Sequence, residues 1–212
     1  MRRIALALLL ALTVPVVTAG AAPRPAPMTD ADRAELDAIS AYLNAMTTLK
    51  GGFYQIEPSG NVSEGTFYIS KPGKMRFEYK PPNPTLLVSD GSTVAVANRR
   101  LATIDRYSLS DTPLRFLLAD KIDIRKNPHL KSIAHQQGSI VIAMTTSTTR
   151  TKANMALVFS EPGYELRQWT IVDDQGLTTT VALRDVTPGV PLAPELFTLP
   201  DKNSLRAPGL RP

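Results

Sequence analysis

The side chains best suited to proton transfer are scarce and poorly placed. His129 and His135 are the only 2 histidines among 212 residues, too few for a multi-histidine metal cage or proton relay. Nothing near them supplies the rest of a triad, so both read as surface polar groups of an edge strand and a loop. Asp173-Asp174 form a carboxylate pair, but they precede Gln175-Gly176, where aspartate suits turn geometry. Cysteine is absent. That removes disulfides, thiolate metal sites, a cysteine nucleophile and lipid attachment through an amino-terminal cysteine. There is no Gly-x-Ser-x-Gly elbow, no His-Glu-x-x-His, and no phosphate-cradling loop ending in Lys and Ser/Thr. The sequon Asn61-Val62-Ser63 reads as coincidence in an exported protein of bacterial type. Trp169 is a lone aromatic in a strand, and Thr145 to Thr151 is a strand end with an exposed loop. Catalysis needs converging titratable groups, so an enzyme is disfavoured and neither cofactor nor metal is expected.

The elements around these residues are those of one exported domain. Arg2 and Arg3 precede an apolar run, Ile4 to Leu12. Pro15 breaks it, and Ala19-Gly20-Ala21 fits a small-x-small cleavage pattern. The run is shorter than the roughly 20 apolar residues that span a bilayer. Residues 1–21 are therefore a signal peptide by this pattern, with a cut after Ala19 as the rival. Its removal lowers the net charge from +5 to +3, and no Lys/Arg block suggests nucleic acid. Residues 22–28 form a proline-rich leader, 29–200 one domain, and 201–212 a loose polar tail.

Thr29 with Asp32 reads as a capping box. Leu36, Ile39, Leu43, Met46 and Leu49 then form one stripe on a helix of about five turns, ended by Gly51-Gly52. Beyond it the apolar period is two. Strands are expected at Thr66–Ser70, Lys74–Lys80, Thr85–Val88, Thr93–Asn98 and Leu101–Tyr107. More follow at Ile122, Ile133, Ser139–Thr145, Met155–Phe159, Leu166–Val172 and Thr178–Val186. Thr112-Pro113 opens a short helix, Leu114 to Ala119. Its apolar face is Leu114, Leu117 and Leu118, with Arg115 and Asp120 turned away.

The strand Lys74–Lys80 alternates cleanly, placing Met75, Phe77 and Tyr79 on one face and Arg76 and Glu78 on the other. Leu86-Leu87-Val88, Ile140 to Met144 and Leu157-Val158-Phe159 are apolar on both faces, and such strands must be covered twice. Two architectures satisfy this. One is a sandwich whose two sheets share a core; the other is a curved sheet with an apolar concavity partly closed by helices.

Several segments, taken in order, resemble the LolA family of periplasmic carriers of outer-membrane lipoproteins. They are Phe53-x-Gln55 after the helix and Gly65-x-Phe67-x-Ile69-x-Lys71-Pro72-Gly73-x-Met75-Arg76-Phe77-x-Tyr79. Leu87-Val88-Ser89-Asp90-Gly91, Thr112-Pro113-Leu114 through Leu118, and Phe197-Thr198-Leu199-Pro200 complete the series. The resemblance spans residues 29 to 200. It implies a mainly β fold with flanking helices: a half-open antiparallel barrel of about eleven strands with helices as a lid.

The cavity so implied binds acyl chains through Met75, Phe77, Tyr79, Leu86, Val88, Leu114, Leu117, Leu118, Ile140, Ile142 and Met144. The family's arginine before proline, taken to hold the lid shut, is Lys71 here, a point charge without the planar fork. Met75 stands where the family has an aromatic. The implied partners of this monomer are acylated lipoproteins, an inner-membrane lipoprotein-releasing ABC transporter and an outer-membrane lipoprotein receptor, all met in the periplasm. The alternative is a lipid- or lipoprotein-sensing regulatory module of the same fold.

Overall fold

The computed structural model describes residues 28–147 and 152–206. The stretch expected to be a signal peptide, the expected leader up to Pro27, residues 148–151 of the expected exposed loop, and residues 207–212 lie outside them. Helix α1 (Asp30–Ala45) comes first. The Thr29 hydroxyl accepts the Asp32 amide at 3.1 Å, and the Asp32 carboxylate accepts the Thr29 amide at 2.7 Å, the reciprocal cap that the sequence predicts.

The helix stops at Ala45, not at Gly51-Gly52. Met46 is already extended, and strand β1 (Thr48–Ile56) follows. Glycine is needed there by the sheet. A Cβ on Gly51 would lie 2.7 Å from the Phe67 ring of the neighbouring strand and 2.9 Å from the Arg184 carbonyl. Leu49, which fits the helical stripe, sits instead in β1 opposite Ile69 and Pro188.

β2 (Val62–Ser70), β3 (Lys74–Tyr79), β4 (Thr85–Asp90), β5 (Thr93–Asn98) and β6 (Thr103–Ser108) run outward from β1 as successive hairpins. β7 (Leu130–Gln136), β8 (Ser139–Ser147), β9 (Lys152–Ser160), β10 (Leu166–Val172) and β11 (Thr178–Pro188) return to its other side. The result is one antiparallel sheet of 11 strands, ordered β6-β5-β4-β3-β2-β1-β11-β10-β9-β8-β7. It is not a sandwich. The edge strands β6 and β7 do not pair with each other, and residues 109–129 link them, so the barrel stays open on that side.

The sheet is strongly curved. Phe77 on β3 and Trp169 on β10 are four strand spacings apart, about 19 Å on a flat sheet, yet their ring centroids lie 6.3 Å apart. Within this concavity lies the main core. Phe53 packs edge-on against Phe77 and Tyr79, each at 5.0 Å, and the buried stripe of α1 covers the side toward β7–β9.

The link from β6 to β7 departs from expectation. Pro113–Arg115 is a single 3-10 turn, continued by irregular bonds from Leu118 N to Leu114 O and from Ala119 N to Phe116 O. There is no second α-helix among the described residues, so the cover is one helix and an irregular leucine segment. Ile122 is not in a strand. It and Ile124 are buried in irregular chain whose amides are satisfied by α1: Ile122 N–H donates to Asn44 Oδ1 at 2.8 Å, and Ile124 N–H to Ser40 Oγ at 3.0 Å.

A second, smaller core lies on the outer face. Leu86, Val88 and Ala97 are buried there beneath Leu199 and Leu205. The carboxyl-terminal chain crosses this face, tied by Arg76 Nη1 to the Leu196 carbonyl at 3.1 Å and Arg106 Nη2 to the Pro200 carbonyl at 2.9 Å. Residues 201–206 are therefore not a loose tail: Leu205 is 4% exposed, because the outer face of β4 and β5 needs an apolar cover.

Candidate functional site

At the mouth of the concavity the cover does not fill the space. The floor of the crevice is Leu49, Phe67, Ile69, Met75 and Phe77 from β1–β3. Leu166, Trp169, Leu183 and Val186 of β10–β11 form the far wall, and Tyr42, Leu43 and Met46 descend from the end of α1. Leu114, Leu117 and Leu118 close it from the β6–β7 link. Period two places the floor: Phe67 faces Phe77 and Ile69 faces Met75 across the β2–β3 ladder, so all four point inward. The volume left open is about 40 Å³, little more than the roughly 30 Å³ that one water occupies in the liquid.

Two side chains bring polar groups to this lining. Burial pushes the Tyr42 phenol above its usual range, with a hydrogen bond to the Leu166 backbone opposing the shift. The Lys71 Nζ donates to the Leu43 carbonyl at 2.8 Å, and the Lys71 amide donates to the Thr47 carbonyl at 2.8 Å. The last four carbonyls of a helix lack intrahelical partners and carry the negative end of its dipole. The Lys71 side chain thus clasps the end of α1, while its amide extends the β1–β2 ladder by one bond. Burial lowers the Lys71 pKa, and the charge of Asp120 acts against that.

The amino end of α1 is held by charge at the surface. His135 Nε2 lies 3.2 Å from Asp32 Oδ1 and 3.4 Å from Glu35 Oε2, with Glu161 3.9 Å from its other nitrogen. The hydrogen bond with Asp32 is the main cause of a raised His135 pKa, and the charges of Glu35, Asp32 and Glu161 add to it. Near the carboxyl end of α1, Asn44 exchanges two hydrogen bonds of 2.8 Å with the backbone of Ile122, and in mid-helix Asp37 pairs with Arg125 at 2.8 Å.

The residues singled out from sequence fall into four places. Met75, Phe77, Leu114, Leu117, Leu118 and Lys71 line the crevice. Tyr79 lies deeper, against Phe53, and donates to Gln55 Oε1 at 2.7 Å. Burial, with a smaller contribution from Glu57, pushes its pKa up to about 12. Ile140, Ile142 and Met144 face the concavity but belong to the filled core under α1, with Met144 also edging a separate cleft. Leu86 and Val88 do not face the cavity. They pair with Glu78 and Arg76 in the ladder and so share the outer face, whereas Leu87, opposite Phe77, turns inward.

Sequence reasoning passed over Tyr42, Phe67, Ile69, Trp169, Leu183 and Val186 as lining residues. Phe67 and Ile69 were accessible through their alternation with the next strand. Leu183 and Val186 were not, because nothing local tells that β11 pairs with β1. The arrangement is an apolar slot with a clasp at its rim.

A family model described as outer membrane lipoprotein carrier protein LolA matches residues 44–200. An outer-membrane lipoprotein carrier protein of Dechloromonas aromatica (strain RCB) is 29% identical over 177 residues, covering 78% of this chain and 84% of that one. One from Nitrosospira multiformis is 29% identical over 173 residues, covering 76% and 82%. A crystal structure of a LolA superfamily protein from Nitrosomonas europaea is similar over 77% of this chain and 97% of that one, at 8% identity and a TM-score of 0.42.

Proposed function

The chain belongs to the LolA family of outer membrane lipoprotein carriers, and from that premise we propose that it binds the acyl chains of lipoproteins in the crevice between β1–β3, β10–β11 and the leucines 114–118. It carries them through the periplasm, from an inner-membrane releasing ABC transporter to an outer-membrane receptor. The observation that carries this reading is an almost wholly apolar slot whose cover is fastened at one end by Lys71 and Leu43.

The energetics suit the task. An acyl chain leaving a membrane for water costs about 0.8 kcal/mol per CH₂, so a carrier must offer apolar area of similar extent. An empty carrier must also hide that area. A space of about 40 Å³ admits no acyl chain, so this is the closed form. Loading then requires Leu114, Leu117, Leu118 and the end of α1 to move off the floor, breaking the Lys71–Leu43 bond. Met75 gives the floor an adaptable, polarisable surface suited to chains of differing shape.

The test has two steps. The mature protein should release lipoproteins from inner-membrane vesicles that hold the transporter, then deliver them to receptor-bearing outer-membrane vesicles. Failure to release any lipoprotein, with the chain folded and the transporter active, refutes the carrier reading. Amino-terminal sequencing of the periplasmic form tests export and a start near Ala22.

A further inference from the structure

The leucine segment that closes the crevice has a second side. Leu114, Leu117 and Leu118 face the crevice, while Pro113, Arg115, Phe116 and Ala119 face a separate cleft of about 280 Å³. The two spaces are therefore divided by a partition one peptide segment thick. Its hydrogen bonds are those of an irregular turn. It is pinned to the sheet where the Gly73 amide donates to the Leu118 carbonyl at 2.8 Å.

The chemistry of the two sides differs. The second cleft has an apolar base, with Phe116 half-buried and Met144 2% exposed. Its rim is Arg115, Asn127, His129, Thr145 and Thr146. Every one of these side chains can donate a hydrogen bond, and among the described residues no carboxylate lines the cleft. Arg115 is exposed, whereas Asn127, His129 and the two threonines are half-buried.

A donor-rich rim over an apolar base fits a ligand that is rich in acceptors and flanked by hydrocarbon. Ester groups accept and cannot donate, and an amide carbonyl next to them adds a further acceptor. We propose that this cleft holds the polar junction of the cargo, the ester and amide linkages joining acyl chains to polypeptide, while the chains lie in the leucine crevice across the partition. This rests on the carrier reading and adds a second subsite to it. When the partition moves, both spaces open together and a single amphiphile occupies both. Arg115, His129 and the threonines then act on the junction and leave the hydrocarbon alone.

The experiment compares two fluorescent probes on the full mature chain: a synthetic dipalmitoyl-glyceryl-cysteine peptide, and a hydrocarbon-tailed dye of equal chain length without esters. Arg115→Ala combined with His129→Ala should weaken lipopeptide binding about thirtyfold, as expected for the loss of two hydrogen bonds each worth about 1 kcal/mol. The dye should stay within about twofold. Arg115→Lys, which keeps a donor, should retain much of the lipopeptide affinity. An unchanged lipopeptide affinity in the double variant, or equal losses for both probes, overturns the subsite and leaves the carrier reading standing. Wild-type protein that binds neither probe overturns both. Circular dichroism melts of the variants establish that each is folded before binding is read.

Discussion

The two halves of the concavity are built on the same sheet face with the same alternation, yet one is core and the other is slot. In the filled half, Ile140, Ile142, Met144, Met155, Leu157 and Phe159 share a core with Leu36, Ile39 and Ile124, and all are at most 2% exposed. In the other half, Ile69, Leu114, Leu117, Leu183 and Val186 are only half-buried around open space. The covers differ. The first is a regular amphipathic helix whose carboxyl-terminal half is bonded through Ser40 and Asn44 to the backbone of Ile122 and Ile124. The second is the end of α1 together with an irregular leucine turn, which accepts from the Gly73 amide through the Leu118 carbonyl and is flanked by the Lys71 clasp. An apolar wall becomes core under a regular cover, and a binding surface where the cover is irregular.

Truncation in the filled half should show this most strongly. Ile142→Ala should cost about 2–5 kcal/mol of stability, the usual range for emptying a fully packed site, with lipopeptide affinity unchanged in the folded protein. Denaturant unfolding and fluorescence titration measure the two quantities. A matching loss of affinity would mean that the filled half also takes cargo.

The clasp comes next. Lys71→Leu removes a hydrogen bond from a charged donor, an interaction worth about 1.5–3 kcal/mol, and should shift the balance toward the open form by that order. Lipoprotein should still be accepted from inner-membrane vesicles, while delivery to the receptor slows. Lys71→Arg should preserve delivery. A Lys71→Leu protein that delivers at the wild-type rate would show that the bond to Leu43 does not govern closure.

In the crevice half, Leu117→Ala should cost about 1 kcal/mol or less, because the side chain is only partly buried against yielding neighbours. It should weaken lipopeptide binding several-fold. An environment-sensitive dye at position 117 should shift on loading, whereas a static signal would make this segment ordinary core.

The smallest effect is expected at the amino end of α1, where the contacts are exposed. His135 has its pKa raised above 6.5, so its contribution is complete below that value and fades as pH rises through the folded-state value. Asp32 is held below 3.8, chiefly by its bond to the Thr29 backbone, so its contribution persists above 3.8 and fades as pH falls through the lower folded-state value. The contact is thus strongest between these two ordinary values. Melting temperatures of wild type and His135→Gln should differ slightly at pH 5–6 and converge by pH 8. Parallel curves across that range would show that the imidazole adds nothing.

Much of the fold is local and was legible as such. The Thr29–Asp32 box, the hairpin turns and the inward facing of Met75 and Phe77 follow from capping chemistry, turn residues and a period of two, all properties of adjacent residues. Leu49 marks where local reading fails, since it fits a helical stripe and a strand equally. The choice was made by the ladder, in which Leu49 pairs with Ile69 of β2 and Pro188 of β11. Leu86-Leu87-Val88 marks another limit. The run says that both faces are covered, but only the ladder with β3 turns Leu87 inward and Leu86 and Val88 outward. Only the returning carboxyl-terminal chain, with Leu205, supplies the outer cover. The sequence by itself determined which residues alternate and which ends are capped, because those depend on bonded neighbours. Which apolar surface is filled and which is left open was decided by tertiary structure alone, because burial depends on covers that arrive from distant parts of the chain.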